Sequence, residues 1–91
     1  MNRHEATAEA LRELAGAHME IASHASSSSR DALALAALHQ SNRFGAFEHY
    51  AFLAKAEGKT AELHRDLARF AAHCADKTEM LAKMERWGGR R

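Results

Sequence analysis

Apolar residues recur at helical spacing along most of this chain, and the pattern is interrupted at two points. A run of four serines occupies Ser26–Ser29, and a single glycine, Gly58, separates two long periodic stretches. Spacings of three and four residues predict amphipathic helices, while serine clusters and glycine are typical of helix ends. We therefore predict an all-α bundle of three long antiparallel helices, at about residues 3–25, 30–57 and 60–87, joined by short turns.

The proposed helix ends carry capping signals. Asn2 with Glu5 three residues later is a reciprocal N-cap pattern, and Ser28 with Asp31 repeats it before the second helix. Gly58 suits the position just past a helix end. The serine run itself is either a tight turn or a hinge that lets the first helix exchange between subunits.

The second predicted helix is apolar on two nearly opposite sides. One stripe contains Leu35, Leu38, Phe52 and Leu53, and the other contains Leu33, Phe44 and Phe47. A helix with two apolar sides has neighbours on both sides, and a three-helix bundle covers only one of them. We predict completion by homo-oligomerisation, with a two-fold dimer as the first expectation. The predicted interface residues are Phe44, Phe47, Leu33, Met80, Met84 and Trp87.

Length and composition narrow the class of protein. The 91 residues form one domain, 1–91, and the net charge of +1 gives no field that attracts nucleic acid. A single cysteine, Cys74, excludes a disulfide within the chain. No stretch has the length and apolarity of a membrane span, and the N-terminal residues lack the apolar core of a signal peptide. These features favour a cytoplasmic protein that binds neither nucleic acid nor membrane.

Seven histidines raise the question of metal binding. His18 and His49 fall within apolar stripes, where a core histidine that is hydrogen-bonded, for example to Asn42, is the more frequent explanation. No catalytic constellation is present, and no cofactor is expected. If a metal is bound, iron or zinc, its ligands come from four residues brought together across helices or subunits: His73, Asp76, Glu48 and His49.

The stretches "EHYAFLAKAEG" and "ELHRDLARFAAHCADKTEML" resemble the second helical pair of the ferritin-like superfamily, in its rubrerythrin-type branch. The similarity covers residues 44–81. The family's Glu-x-x-His pair falls on His73 and Asp76, and its glutamate two turns before Tyr50 falls on residues 40–43, which read QSNR. The resemblance implies a helical bundle whose di-iron function is lost or rebuilt across an oligomer interface.

The sequence therefore favours a non-enzymatic, self-associating helical bundle that acts as an interaction or structural module, with an unknown protein partner also open. The alternative is a ferritin-like metal-binding protein. A third hypothesis is an assembly that responds to pH through its histidines.

Overall fold

The computed structural model describes residues 2–41 and 45–88, and these form two helices. Helix α1 spans Arg3–Leu38 and helix α2 spans Ala46–Gly88, with 36 and 43 residues. They pack against each other antiparallel along their length, in a rod with extents of 76 × 15 × 12 Å. The all-α prediction is confirmed, and the prediction of three helices is wrong.

The outer ends of the hairpin agree with the sequence pattern. Asn2 Oδ1 accepts a hydrogen bond of 2.9 Å from the Glu5 backbone N–H, which is the predicted N-cap. Helix α2 ends at Gly88, one residue past the predicted end. The chain reverses between Leu38 and Ala46, inside the predicted second helix, and Gly45 adopts a φ of +73° immediately before α2. Only glycine adopts this left-handed conformation without strain.

The serine run and Gly58 lie inside helices. Ser26, Ser29 and Gly58 lie where α1 and α2 contact each other. The Ser29 hydroxyl donates a 2.7 Å hydrogen bond to the Ala54 carbonyl of the opposite helix. Ser26 accepts from the Arg65 guanidinium. A Cβ added at Gly58 would lie 3.7 Å from Ser29 Oγ, so Gly58 faces α1 at its interior. The helix boundaries predicted at residues 25–30 and 57–60 are therefore wrong, and so is a hinge at the serine run for exchanging the first helix.

The buried residues of the described chain are all alanines. In α2, Ala54, Ala61, Ala68, Ala75 and Ala82 recur every seven residues, and in α1 the same interval gives Ala8, Ala15, Ala22, Ser29 and Ala36. A sustained seven-residue repeat is the pattern of two helices wound around each other. Helix axes are usually about 8–10 Å apart, and small side chains at the contact allow distances near the lower value.

The large apolar side chains lie outside this contact. Sixteen of them in the described residues are at least 37% exposed, from Leu14 near one end to Trp87 at the other. Five of these, Leu33, Phe47, Met80, Met84 and Trp87, are predicted interface residues. The residues of the other predicted stripe, Leu35, Leu38, Phe52 and Leu53, are also exposed in the single chain. The hairpin buries alanine methyl groups and leaves most of its leucines, phenylalanines and methionines exposed.

Continuity of α1 through the serine run can be tested at Ser27, which is exposed in the helix interior. Ser27→Pro removes a backbone donor and introduces a steric clash, so we expect a loss of about 3 kcal/mol in the free energy of unfolding. Ser27→Ala is the matched control and should be neutral or slightly stabilising. Urea denaturation followed by circular dichroism measures both. Equal stabilities of the two variants would indicate that the chain forms a turn at this position instead of a continuous helix.

Close packing of the alanine contact can be tested by enlarging one residue. Ala75 is 0% exposed, so Ala75→Leu forces the helices apart and should cost about 1–3 kcal/mol. Ala34→Leu places the same side chain on the exposed side of α1 and serves as the control. Thermal unfolding should show a lower midpoint for the first variant alone. A stabilised Ala75→Leu protein would show that the alanines do not limit the helix separation.

Candidate functional site

One flank of the hairpin is charged and its charges pair between the helices. The contacts join Glu5 to Arg86, Arg12 to Glu79 (2.6 Å) and Ser26 to Arg65. From one contact to the next, the α1 residue number rises by seven and then by fourteen, and the α2 residue number falls by the same amounts. The register is therefore unbroken through the serine run. Met19 and Leu33 continue the same line of α1 positions, so they lie on this charged flank.

Arg12 is the centre of the charged flank. Its guanidinium also contacts Asp76, at 3.2 Å, and the hydrogen bond to Asp76, followed by the Glu79 carboxylate, raises the pKa of Arg12. The group is exposed, so these ion pairs add little to stability and mainly favour this register.

The opposite flank carries large apolar residues at the same seven-residue intervals. We call Leu14, Ile21, Leu35, Leu53, Leu67 and Leu81 the apolar strip; their exposure ranges from 37% to 50%. Leu35 and Leu53 line one cleft together, which places the two helices' contributions on the same side. No charged residue interrupts either line, because the intervening positions are Ser28 on α1 and Thr60 and Cys74 on α2.

Further apolar side chains widen the strip on α2. Leu63, Phe70 and Met84 lie three or four residues from members of the strip and are 58%, 67% and 57% exposed. Side chains at those spacings are neighbours on a helix surface, so they extend the strip outward. The result is an extended, largely apolar side of the hairpin, interrupted in its outer line by Lys77. Extended exposed apolar patches are typical of surfaces that contact another protein.

Two histidines face each other at the edge of the strip. The Nδ1 atoms of His18 and His64 are 2.8 Å apart, and the two rings meet edge to edge, with centroids 5.0 Å apart and planes inclined by 29°. Both side chains are half-buried. We call this pair the histidine dyad.

Sequence spacing places the dyad between the alanine contact and the apolar strip. On α1, the residues three and four positions from His18 are Leu14 and Ile21 of the strip, together with two alanines of the contact. On α2, the equivalent neighbours of His64 include Leu67 and Ala68. The dyad is thus a polar pair set into an apolar surface.

The geometry of the dyad fixes its proton arrangement. Two facing Nδ1 atoms at hydrogen-bond distance need one proton between them, so one ring carries Nδ1–H and the other offers its Nδ1 lone pair. In the neutral form of the dyad the two rings are therefore opposite tautomers. Both Nδ1 atoms are also ligand atoms for transition metals.

The predicted metal ligands do not come together within one chain. Glu48 and His49 are exposed at the start of α2, and His73 and Asp76 are exposed about 36 Å further along the helix, at 1.5 Å per residue. Asp76 already pairs with Arg12. Within residues 2–41 and 45–88, no group of three or more His, Cys, Asp or Glu side chains could hold an ion. A site assembled from them across subunits stays a prediction.

The two histidines predicted to lie in apolar seams have different surroundings. His18 is half-buried and hydrogen-bonded as expected, but its partner is His64, whereas the suggested partner Asn42 lies outside the described residues. His49 is exposed and contacts the Tyr50 ring edge-on, with centroids 5.5 Å apart, so its predicted core position is wrong.

The predicted interface residues fall on several sides. Phe44 lies outside the described residues, and Leu33 is on the charged flank. Phe47, Met80, Met84 and Trp87 are exposed along α2, with Met84 beside the apolar strip. Their burial by a partner stays a prediction.

Sequence reasoning missed the strip and the dyad for one reason. Both follow from the seven-residue repeat of alanines, which sets which positions of α1 and α2 face each other. That repeat is visible in the sequence, whereas the leucine pattern alone does not reveal it.

Comparison with known proteins adds no assignment: no family model, curated protein or solved structure matches this chain. The ferritin-like resemblance is therefore neither supported nor opposed. In the described part of the chain, neither helix is apolar enough over a sufficient length to cross a membrane.

The shared proton of the dyad gives a spectroscopic prediction. In metal-free protein at mildly alkaline pH, long-range ¹H–¹⁵N correlation spectra should show one ring of the pair protonated at Nδ1 and the other at Nε2. His64→Ala removes the partner, so His18 should then carry its proton on Nε2. Two rings that both carry Nε2–H would contradict the facing geometry.

Proposed function

We propose that this chain is a non-enzymatic structural or interaction module that associates with a second copy of itself through the apolar strip. Two hairpins that face each other would form a four-helix bundle, with the alanine contacts inside each hairpin and the leucines between hairpins. The observation that carries the proposal is an extended apolar side on a hairpin whose own buried residues are alanines.

The shape of the single chain supports a missing partner. Its accessible surface is 6960 Å², whereas a compact monomer of 10.1 kDa exposes about 5,300 Å². Its radius of gyration is 20.6 Å, against about 12 Å for a compact domain of this length. An elongated two-helix hairpin has a large surface and a small core, so it gains more than most domains from association.

The excess surface matches the size of a permanent interface. Relative to a compact monomer of this mass, each chain exposes about 1,700 Å² more than expected. Two chains that bury this excess would form an interface of about 3,400 Å² in total, within the range of about 2,000–5,000 Å² for obligate homodimers. Such interfaces are also the more hydrophobic ones.

A second copy is the occupant that the surface fits best. No position of the strip itself is charged, and Asp31 and Glu57 line the cleft beside Leu35 and Leu53. Most of the strip's length therefore does not require a partner of opposite charge. It runs along both helices, from Leu14 to Leu35 and from Leu53 to Leu81, and another hairpin has the same length. In a two-fold dimer the same patch is used twice and must complement itself, which an uncharged strip of leucines does readily.

A ferritin-like metal-binding function is the alternative proposal. Two hairpins supply the four helices that the resemblance requires, and the ligands would be His73, Asp76, Glu48 and His49 from both chains. The pairing of Asp76 with Arg12 weighs against it, because a bound cation would have to displace the guanidinium.

The apolar strip can be separated from the other exposed residues by paired charge substitutions. Leu67→Glu places a carboxylate in the centre of the proposed interface and should weaken dimerisation at least about 100-fold, since burying an unpaired charge is costly. Leu33→Glu, on the charged flank, should leave the dimer intact. Sedimentation equilibrium measures the molar mass of each variant.

Two results would contradict this proposal. A wild-type chain that stays monomeric would remove self-association. A dimer that survives Leu67→Glu and is lost in Leu33→Glu would place the interface on the charged flank instead.

A further inference from the structure

We propose that the histidine dyad is half of a transition-metal site, and that two dyads in the dimer together offer four imidazole nitrogens to one ion. This inference rests on the proposed self-association for its second pair of ligands. The chemistry selects a borderline metal that accepts neutral nitrogen ligands in tetrahedral geometry, of which Zn²⁺ is the simplest probe.

The dyad places two ligand nitrogens within about half an ångström of the spacing that a two-nitrogen chelate requires. In a tetrahedral site with Zn–N bonds of about 2.0–2.1 Å, two ligand nitrogens lie about 3.3–3.4 Å apart. The Nδ1 atoms of His18 and His64 are 2.8 Å apart. To bind one ion, the rings must move apart by about half an ångström and turn so that their lone pairs, which point at each other in the dyad, converge on the ion. Rotation about the side-chain torsions of the two half-buried histidines supplies both changes.

The proton balance allows this exchange without a net change in protonation. In the neutral dyad one ring carries its proton on Nδ1 and the other on Nε2. When an ion takes the place of the shared proton, the first ring moves that proton from Nδ1 to Nε2. Both rings then coordinate through Nδ1 and present Nε2–H to a hydrogen-bond acceptor, which is how metal-bound histidines are usually oriented.

The position of the dyad brings two such pairs together. His18 and His64 are near the middle of α1 and α2, and they adjoin the strip that faces the second copy. If two hairpins overlap along their full length, the middle of one lies over the middle of the other. The dyad of one chain is then level with that of its partner, in the layer formed by the strip residues Ile21 and Leu67.

The site is incomplete without the second copy. Within the described residues, no third His, Cys, Asp or Glu side chain converges on the dyad. Two ligands alone give weak binding, whereas four fill a tetrahedral shell and close it to water. The dyad shares no residue with the ligand set that the ferritin-like resemblance implies, so the two sites can be told apart by substitution.

The experiment is titration of the metal-free full chain with Zn²⁺, followed by native mass spectrometry and isothermal titration calorimetry. We expect one Zn²⁺ per two chains and a higher unfolding temperature of the metal-bound dimer. His64→Ala and the conservative His64→Gln should each weaken binding at least tenfold. His73→Ala should bind Zn²⁺ as the unmodified chain does. Circular dichroism checks that every variant remains helical.

The other outcomes overturn the inference and separate it from the proposed function. A dimer that binds no Zn²⁺, or binds it equally in His64→Gln, would make the dyad a hydrogen-bonded pair and leave self-association standing. Loss of Zn²⁺ in His73→Ala alone would assign the ion to the other ligand set. A chain that stays monomeric with and without Zn²⁺ would remove both the proposed function and the four-nitrogen site.

Discussion

The structure depends on the close contact between the alanine lines of α1 and α2. Alanine leaves no room between the helices for leucine or phenylalanine, so those side chains are placed on the flanks. The contact itself contributes little, because each buried methyl group is worth about 0.8 kcal/mol and an isolated helix pair has few long-range contacts to add. Most of the hydrophobic free energy available to this sequence lies in side chains that one hairpin cannot bury.

The sequence indicated the helical class and the outer helix ends, because these follow from local preferences. Asn2 caps α1 in the way its spacing to Glu5 predicts. The inner boundaries failed because tertiary contacts overrode local signals. The Ser29 hydroxyl is satisfied by the Ala54 carbonyl, so the serine does not compete with its own helix for hydrogen bonds. Gly58 was interpreted as a helix end, although it lies within α2 on the side that faces Ser29 of α1.

The candidate site was less accessible to sequence reasoning than the fold. The position of His18 in an apolar seam was recognised. Its partner His64 is 46 residues away in the sequence, so the pairing depends on the register between α1 and α2. A three-helix arrangement pairs His18 with the wrong segment. The register follows from the alanine repeat, which was missed because alanine contributes little to an apolar stripe and is common in any helix.

The polar dyad and the charged flank together restrict how two hairpins can pack. Pairing of Arg12 with Asp76 and Glu79 holds these charges together on one side. On the other side, the α2 line alternates between leucine and Thr60 or Cys74, so sliding one hairpin by two heptads would bring its leucine positions back into line. It would, however, set each dyad against apolar side chains with no polar neighbour from the second chain. Burying the polar rings among apolar side chains costs free energy, whereas a leucine contact tolerates displacement. In the proposed dimer, the dyads therefore favour the aligned arrangement over others that the apolar strip alone would accept.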